Sequence, residues 1–395
     1  MARVLCVWEQ GSNLGHLSNL RAPIQAAQDL GHEITLVARE LHRIPEVMSG
    51  LRFGLMQAPF KQFVPKVDAT AIQCYAQLLA IQCFSSPQEL LLYVRAWRAI
   101  FDLLRPDIVF FEHSPTALVA AWTYGFRKVL VGSGFDIPRT DVLEAPLQAF
   151  PTAPRTAEAM EQLRTVDQQV LELINQVHAV QGGQAMPRLG ALYAQAEAQC
   201  LMTWPEMDCF GPRPGIHYLG REGLQKQPAP EWPAGTGPKV FGYLSNFTGL
   251  EFLLQALQAA QVCVLLFVRD ISEELRSRYT GAGLAFTSHL VDLAQVTAEA
   301  DWVVHHANHG TSATFLLAGL PQLAIPLHQE QLFNALRLVG QSCALLAYQD
   351  QANYGEAVAA MCQRTDLRAA AKSVQEACKL QESGRSVEYF RGILG

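Results

Sequence analysis

Short apolar runs alternate along this chain with stretches in which apolar residues recur every three or four positions. In the first half the runs fall at residues 4–8, 33–38, 107–111, 128–131 and 199–203. In the second they fall at 239–244, 262–268, 284–287, 302–304, 322–325 and 343–346. Runs this rich in aliphatic and aromatic residues predict strands buried on both faces, and therefore parallel sheets with helical crossovers. Between them, residues 17–29 predict a helix stopped by Gly31, and residues 89–104 a helix that ends before Pro106. Residues 211–238 are too dense in proline and glycine for a helix or a central strand, so the domain boundary falls there. The expected fold class is α/β, with two facing doubly wound (Rossmann-like) domains. Residues 1–215 form the first, 216–238 the linker and 239–385 the second, with a terminal helix over 386–395.

Composition agrees with this outline. At 395 residues the chain is too long for one ordinary core, and 50% hydrophobic against 17% charged residues is a globular profile. A formal net charge of −6 without any basic run argues against a nucleic-acid partner. No apolar stretch approaches the ~20 residues of a membrane span, and Met1 leads directly into a strand without a signal peptide. The nine cysteines include no Cys-x-x-Cys pair and read as buried thiols of a cytoplasmic protein.

The densest chemistry lies in residues 300–331. An apolar strand turns through His305-His306-Ala307-Asn308-His309-Gly310-Thr311 into a helix, and a second strand follows Gly319-Leu320-Pro321. The first amides of a helix are unpaired and attract anions, Thr311 adds a hydroxyl, and His306 can donate to a phosphate oxygen. Beyond the next strand, Glu330 and Gln331 sit where open α/β sheets bind ligands. A diphosphate carrying a sugar would satisfy both halves.

Three other segments carry candidate groups. Gly11-Ser12-Asn13-Leu14-Gly15-His16 follows the first strand and lacks the Gly-x-Gly-x-x-Gly of a dinucleotide site; His16 is either a base or a residue packing at a helix start. Glu112 ends the strand that begins Pro106-Asp107, beside His113. Ser245 and Asn246 close the first strand of the second half, where they either reach a phosphate or cap a helix. For metals, His305, His306 and His309 cluster without an acidic or thiol ligand at suitable spacing, and no Asp-x-Asp occurs. No metal site is expected.

The run from His305 to Gln331 resembles the donor-binding signature of family 1 glycosyltransferases of the GT-B fold, with Glu330-Gln331 in place of Asp-Gln. The match departs at Ala307 and Asn308, where that family prefers glycine; asparagine tolerates a left-handed backbone. The resemblance implies phosphate contacts from His306 and Thr311, sugar contacts from Glu330 and Gln331, and further donor contacts from Asn308, His309, Gly310, Ser245 and Asn246. It places His289, in Ser288-His289-Leu290-Val291, near the nucleobase. It also makes His16 a general base and Glu112 its carboxylate partner, where the family generally has Asp.

Thr314 stands where users of uridine diphosphate sugars commonly have a ribose-holding Glu. At that point, and in the doubled His305-His306, the sequence is similar to bacterial deoxysugar transferases that use thymidine diphosphate sugars. The implied protein is an inverting, metal-independent transferase. It needs no cofactor beyond a dTDP-sugar donor, or a UDP-sugar, and acts on a small-molecule acceptor. The terminal helix, by the same resemblance, packs back on the first domain. Phe60, Phe63, Tyr75, Phe84 and Tyr93 suggest an apolar acceptor or simply core packing. Rivals are a nucleotide-sugar epimerase on the same fold and a non-catalytic auxiliary protein.

Overall fold

The computed structural model describes residues 1–11, 14–61, 72–82, 84–141, 146–220, 227–281, 283–380 and 386–395. Ser12, Asn13 and Phe63 lie outside the described residues. The chain divides into two compact units, Met1–Glu222 with Ser383–Gly395, and Gly223–Glu382.

The first unit holds β1 (Arg3–Trp8), β2 (Glu33–Ala38), β3 (Gly54–Gln57), β4 (Ile108–Glu112), β5 (Arg127–Gly132), β6 (Ala198–Leu201) and β7 (His217–Tyr218). They form one sheet in the order β3-β2-β1-β4-β5-β6-β7, and every pair is parallel. The chain winds outward from β1 to β3 and then crosses to β4 on the other side of β1, which makes a switch point between β1 and β4. Helices on the faces bury the apolar runs: Leu17, Leu20 and Ile24 of the helix Leu14–Asp29 pack with Val4, Cys6, Trp8 and Phe110. The terminal helix Ser386–Leu394 belongs to this unit. Its Phe390 meets Phe110 edge-on at 5.6 Å, and Arg127 donates to the Ile393 carbonyl at 2.7 Å.

The second unit repeats the winding with β8 (Lys239–Ser245), β9 (Cys263–Arg269), β10 (Leu284–Thr287), β11 (Trp302–His305), β12 (Gln322–Ala324) and β13 (Ala344–Leu346). Its order is β10-β9-β8-β11-β12-β13, again parallel throughout, with the switch point between β8 and β11. Successive residues of β8 and β9 serve opposite cores. Val240, Leu244, Val264 and Leu266 lie in one, while Phe241 and Leu265 lie in another with Val303 and Phe315.

Two short strands escape the hydrophobic pattern. β3 is largely exposed, and β7 has only two residues. Because β7 is part of the first sheet, residue 216 does not begin a linker. From residue 227 the chain belongs to the second unit, where Lys239 lies over the Trp232 ring and Asp292 donates its amide to the Pro228 carbonyl.

Candidate active site

At the first switch point, β1 and β4 run side by side with Trp8 opposite Glu112. Gly11, at φ +78°, turns the chain back so that the helix Leu14–Asp29 begins over the strand ends. His16 lies in its first turn, stacked on Trp8 at 5.5 Å. Its Nδ1 sits 2.8 and 3.0 Å from the two oxygens of Glu112, and Asn19 donates to Oε1 at 3.1 Å. The Glu112 side chain is 0% exposed against 13% for His16. It is therefore not a solvated strand-end carboxylate. Burial pushes Glu112 up to about 7, against the pull of the His16 charge and its hydrogen bond. With Nδ1–H committed to Glu112, the nitrogen of His16 that can accept a proton is Nε2.

The surrounding loops are fixed by buried polar bonds. Glu9 accepts from the amides of Thr116 and Ala117 and from the Thr116 hydroxyl, tying the end of β1 to the turn after β4. Burial raises this carboxyl to about 7 as well, partly offset by those bonds. His113 takes φ +36° and donates nothing to Glu112; its Nδ1 lies 3.3 Å from Asp136 Oδ1, too poorly aligned for a hydrogen bond. Although adjacent to Glu112 in sequence, His113 turns to a different carboxylate.

At the second switch point, the doubled histidine divides into two clamps. The Ala307 amide donates to His305 Nδ1 at 2.9 Å, so Nε2 carries the proton and donates to Gln322 Oε1 at 2.8 Å. Burial lowers His305 to about 4, which keeps it neutral. His306 Nδ1 donates to the Ile325 carbonyl at 2.7 Å, and its Nε2 accepts the Ser245 amide at 2.9 Å. Burial also lowers the His306 pKa. Both ring nitrogens of His306, expected to face a phosphate, are engaged here by backbone, joining the ends of β8, β11 and β12.

Other expectations shift in the same way. The left-handed residue of the turn is Ala307, at φ +60°, not Asn308, at φ −55°. Asn308 precedes the helix His309–Leu317 without capping it, because its Oδ1 accepts from Gln331 Nε2 at 3.0 Å. Gln331 in turn accepts the Leu327 amide at 2.7 Å and is buried, so its amide braces the turn expected to read the sugar. Thr314 donates to the Gly310 carbonyl at 2.9 Å, within the helix. Gly310, Thr311 and Glu330 remain half-buried at the two helix starts, whereas His309 is buried. His289 is exposed after β10, three strand positions from β11.

Sequence reasoning missed Arg269. It is an exposed cation at the carboxyl end of β9 whose carbonyl accepts the Asn246 amide at 2.8 Å and whose charge acts on His306. It also missed a recess of about 150 Å³ in the first unit, lined by Arg139, Arg164, Asp167 and Arg188 and therefore polar. Of the aromatics proposed for an acceptor, Tyr75 and Phe84 are core residues, and Phe60 lies under Arg39. Among the described cysteines none is disulfide-bonded, and only Cys362 is exposed. No described helix is long and apolar enough to cross a membrane.

No protein-family model matches the chain, and no curated protein does. Solved structures do. The chain is similar to the glycosyltransferase of kitacinnamycin at 14% identity and a TM-score of 0.69, covering 99% of this chain and 98% of that one. It is similar to the glycosyltransferase VinC, solved in complex with dTDP, at 16% identity and a TM-score of 0.63, over 98% and 100%. It is similar to the spinosyn rhamnosyltransferase SpnG, solved with spinosyn aglycone, at 16% identity and a TM-score of 0.63, over the whole of both chains. The fold is that of the GT-B natural-product glycosyltransferases.

Proposed function

We propose that this chain is an inverting glycosyltransferase that moves a sugar from a nucleoside-diphospho-sugar to a hydroxyl of a small-molecule acceptor. The observation that carries the reading is the buried His16–Glu112 dyad at the switch point of the first sheet. Nε2 of His16 takes the acceptor's proton while the acceptor oxygen bonds to the anomeric carbon. The bond from that carbon to the diphosphate oxygen breaks, and its electron pair leaves with the diphosphate. Glu112 holds the tautomer and stabilises the imidazolium that forms.

In the second unit, the start of the helix His309–Leu317 takes the leaving diphosphate through its early amides and the Thr311 hydroxyl, with Arg269 supplying positive charge. His306 acts indirectly, by holding Ser245 and the β11 turn in place. Glu330 reads sugar hydroxyls, and Gln331 positions the turn that presents it. Thr314 in place of a carboxylate supports a thymidine donor, as does the likeness to a dTDP-bound structure. The chemistry needs no metal in this reading, because helix amides and Arg269 offset the developing charge.

The test is a mass-spectrometric screen of the full chain with dTDP- and UDP-sugars against a panel of hydroxylated acceptors. The reading expects an acceptor product heavier by one glycosyl unit together with free nucleoside diphosphate. Turnover of the sugar nucleotide without any acceptor would instead mark an epimerase.

A further inference from the structure

Beside the dyad lies a second group of ligating side chains that the proposed transfer does not use. His113 opens the turn after β4, and Asp136 lies in the loop leaving β5. One ligand atom from each of His16, His113 and Asp136 can be chosen so that all three lie within 4.8 Å of one another. Both nitrogens of His113 are buried without a hydrogen-bond partner, although the residue is only 8% exposed. A buried imidazole with nothing to bond is costly, and each such case calls for an explanation.

The Asp136 carboxylate faces the same point. Ser133 gives its amide and hydroxyl to Oδ2, at 2.9 and 2.6 Å, which leaves Oδ1 toward His113 Nδ1. Their 3.3 Å separation is too misaligned for a proton bridge but close to the spacing of two ligands on a tetrahedral ion, roughly 3.3–3.5 Å for bonds of about 2.0–2.1 Å.

We propose that His113, Asp136 and His16 form a binding site for one divalent ion of the zinc or cobalt type, and that occupancy blocks the enzyme. The set is two imidazoles and a carboxylate, which suits these ions and not magnesium or calcium. Shifts of about 1 Å bring the three atoms onto one centre. Burial disfavours the charged form of His113, and the Ser133 amide and hydroxyl support an ionised Asp136 carboxylate, as ligation requires. The blocking effect rests on the role of His16 proposed above. The binding site does not.

The experiment is titration of the full chain with Zn²⁺ and Co²⁺ by calorimetry and by cobalt absorption. One ion per chain is expected, with a tetrahedral cobalt spectrum that lacks thiolate charge transfer; the latter separates this site from the cysteines without any variant. His113→Asn retains a residue that tolerates positive φ and should weaken binding about 100-fold or more. Cys362→Ser should change nothing. Absence of binding, a thiolate spectrum, or full affinity in His113→Asn would overturn the site. Where transfer is detected, Zn²⁺ should abolish it in the wild type, EDTA should restore it, and His113→Asn should resist the inhibition. Zn²⁺ binding without inhibition would leave the site standing and remove His16 from the mechanism.

Discussion

Glu112 grips His16 through both carboxylate oxygens, at 2.8 and 3.0 Å from Nδ1, from a position with no solvent exposure. The pair forms where β1 and β4 separate, with Glu112 on the last position of β4 and His16 in the first turn of the helix Leu14–Asp29. Burial raises Glu112 to about 7. A carboxyl whose pKa is raised takes up its proton earlier as pH falls, and the protonated pair cannot accept another from substrate. Transfer should therefore be full above about pH 7 and fall below it, with an apparent pKa belonging to the pair. Glu112→Gln, which keeps the shape and removes the charge, should lower kcat/KM by ~10²-fold or more. A pH–rate profile flat from about 5 to 9 would contradict the assignment.

Gly11 is required twice. Its φ of +78° suits glycine, and a Cβ there would lie 2.1 Å from His16 Nε2. Gly11→Ala should push the ring off Glu112, cutting turnover by ~10-fold or more for a stability loss of about 1–2 kcal/mol. Wild-type turnover in that variant would show that the nitrogen facing Gly11 is not the one that works.

His306→Ala should act first on stability. It strands the Ser245 amide and the Ile325 carbonyl, each worth about 1–3 kcal/mol when left unpaired. Urea unfolding should show a loss of about 2–4 kcal/mol for the second unit, and nucleoside diphosphate binding should weaken with it. A stable variant with lost binding would restore His306 as a direct phosphate contact.

Much of the fold was legible because parallel strands buried on both faces leave continuous apolar runs. The exposed β3 and the two-residue β7 leave no such trace. The dyad was legible only as two candidates at strand ends, 96 positions apart, whose contact depends on sheet order. His305 and His306 were visible as a doubled histidine, but a ring's role is set by what meets each nitrogen. Here those partners are Gln322, Ile325 and Ser245, which no local pattern specifies. The misplaced left-handed residue has the same origin. Ala307 is held at positive φ because His305 takes its amide and Asn334 donates to its carbonyl at 3.1 Å. Residue preference at Asn308 was outweighed by these tertiary bonds.

The donor preference is testable at Thr314. Its hydroxyl is turned onto Gly310, and being uncharged it would leave no unpaired carboxylate beside the deoxyribose of the proposed donor. Competition between dTDP and UDP should favour dTDP, within roughly 10–100-fold, and Thr314→Glu should shift the balance toward UDP. Tighter UDP binding by the wild type would reject the thymidine donor while leaving the transferase reading intact.

The most direct test of the central claim compares wild type with His16→Ala, measuring both nucleoside diphosphate affinity and single-turnover glycosyl transfer to an acceptor found in the screen. Affinity should stay within about two-fold of wild type and transfer should fall by ~10²-fold or more, because His16 belongs to the first unit and the nucleotide site is proposed in the second. Near-wild-type transfer in His16→Ala would contradict that claim.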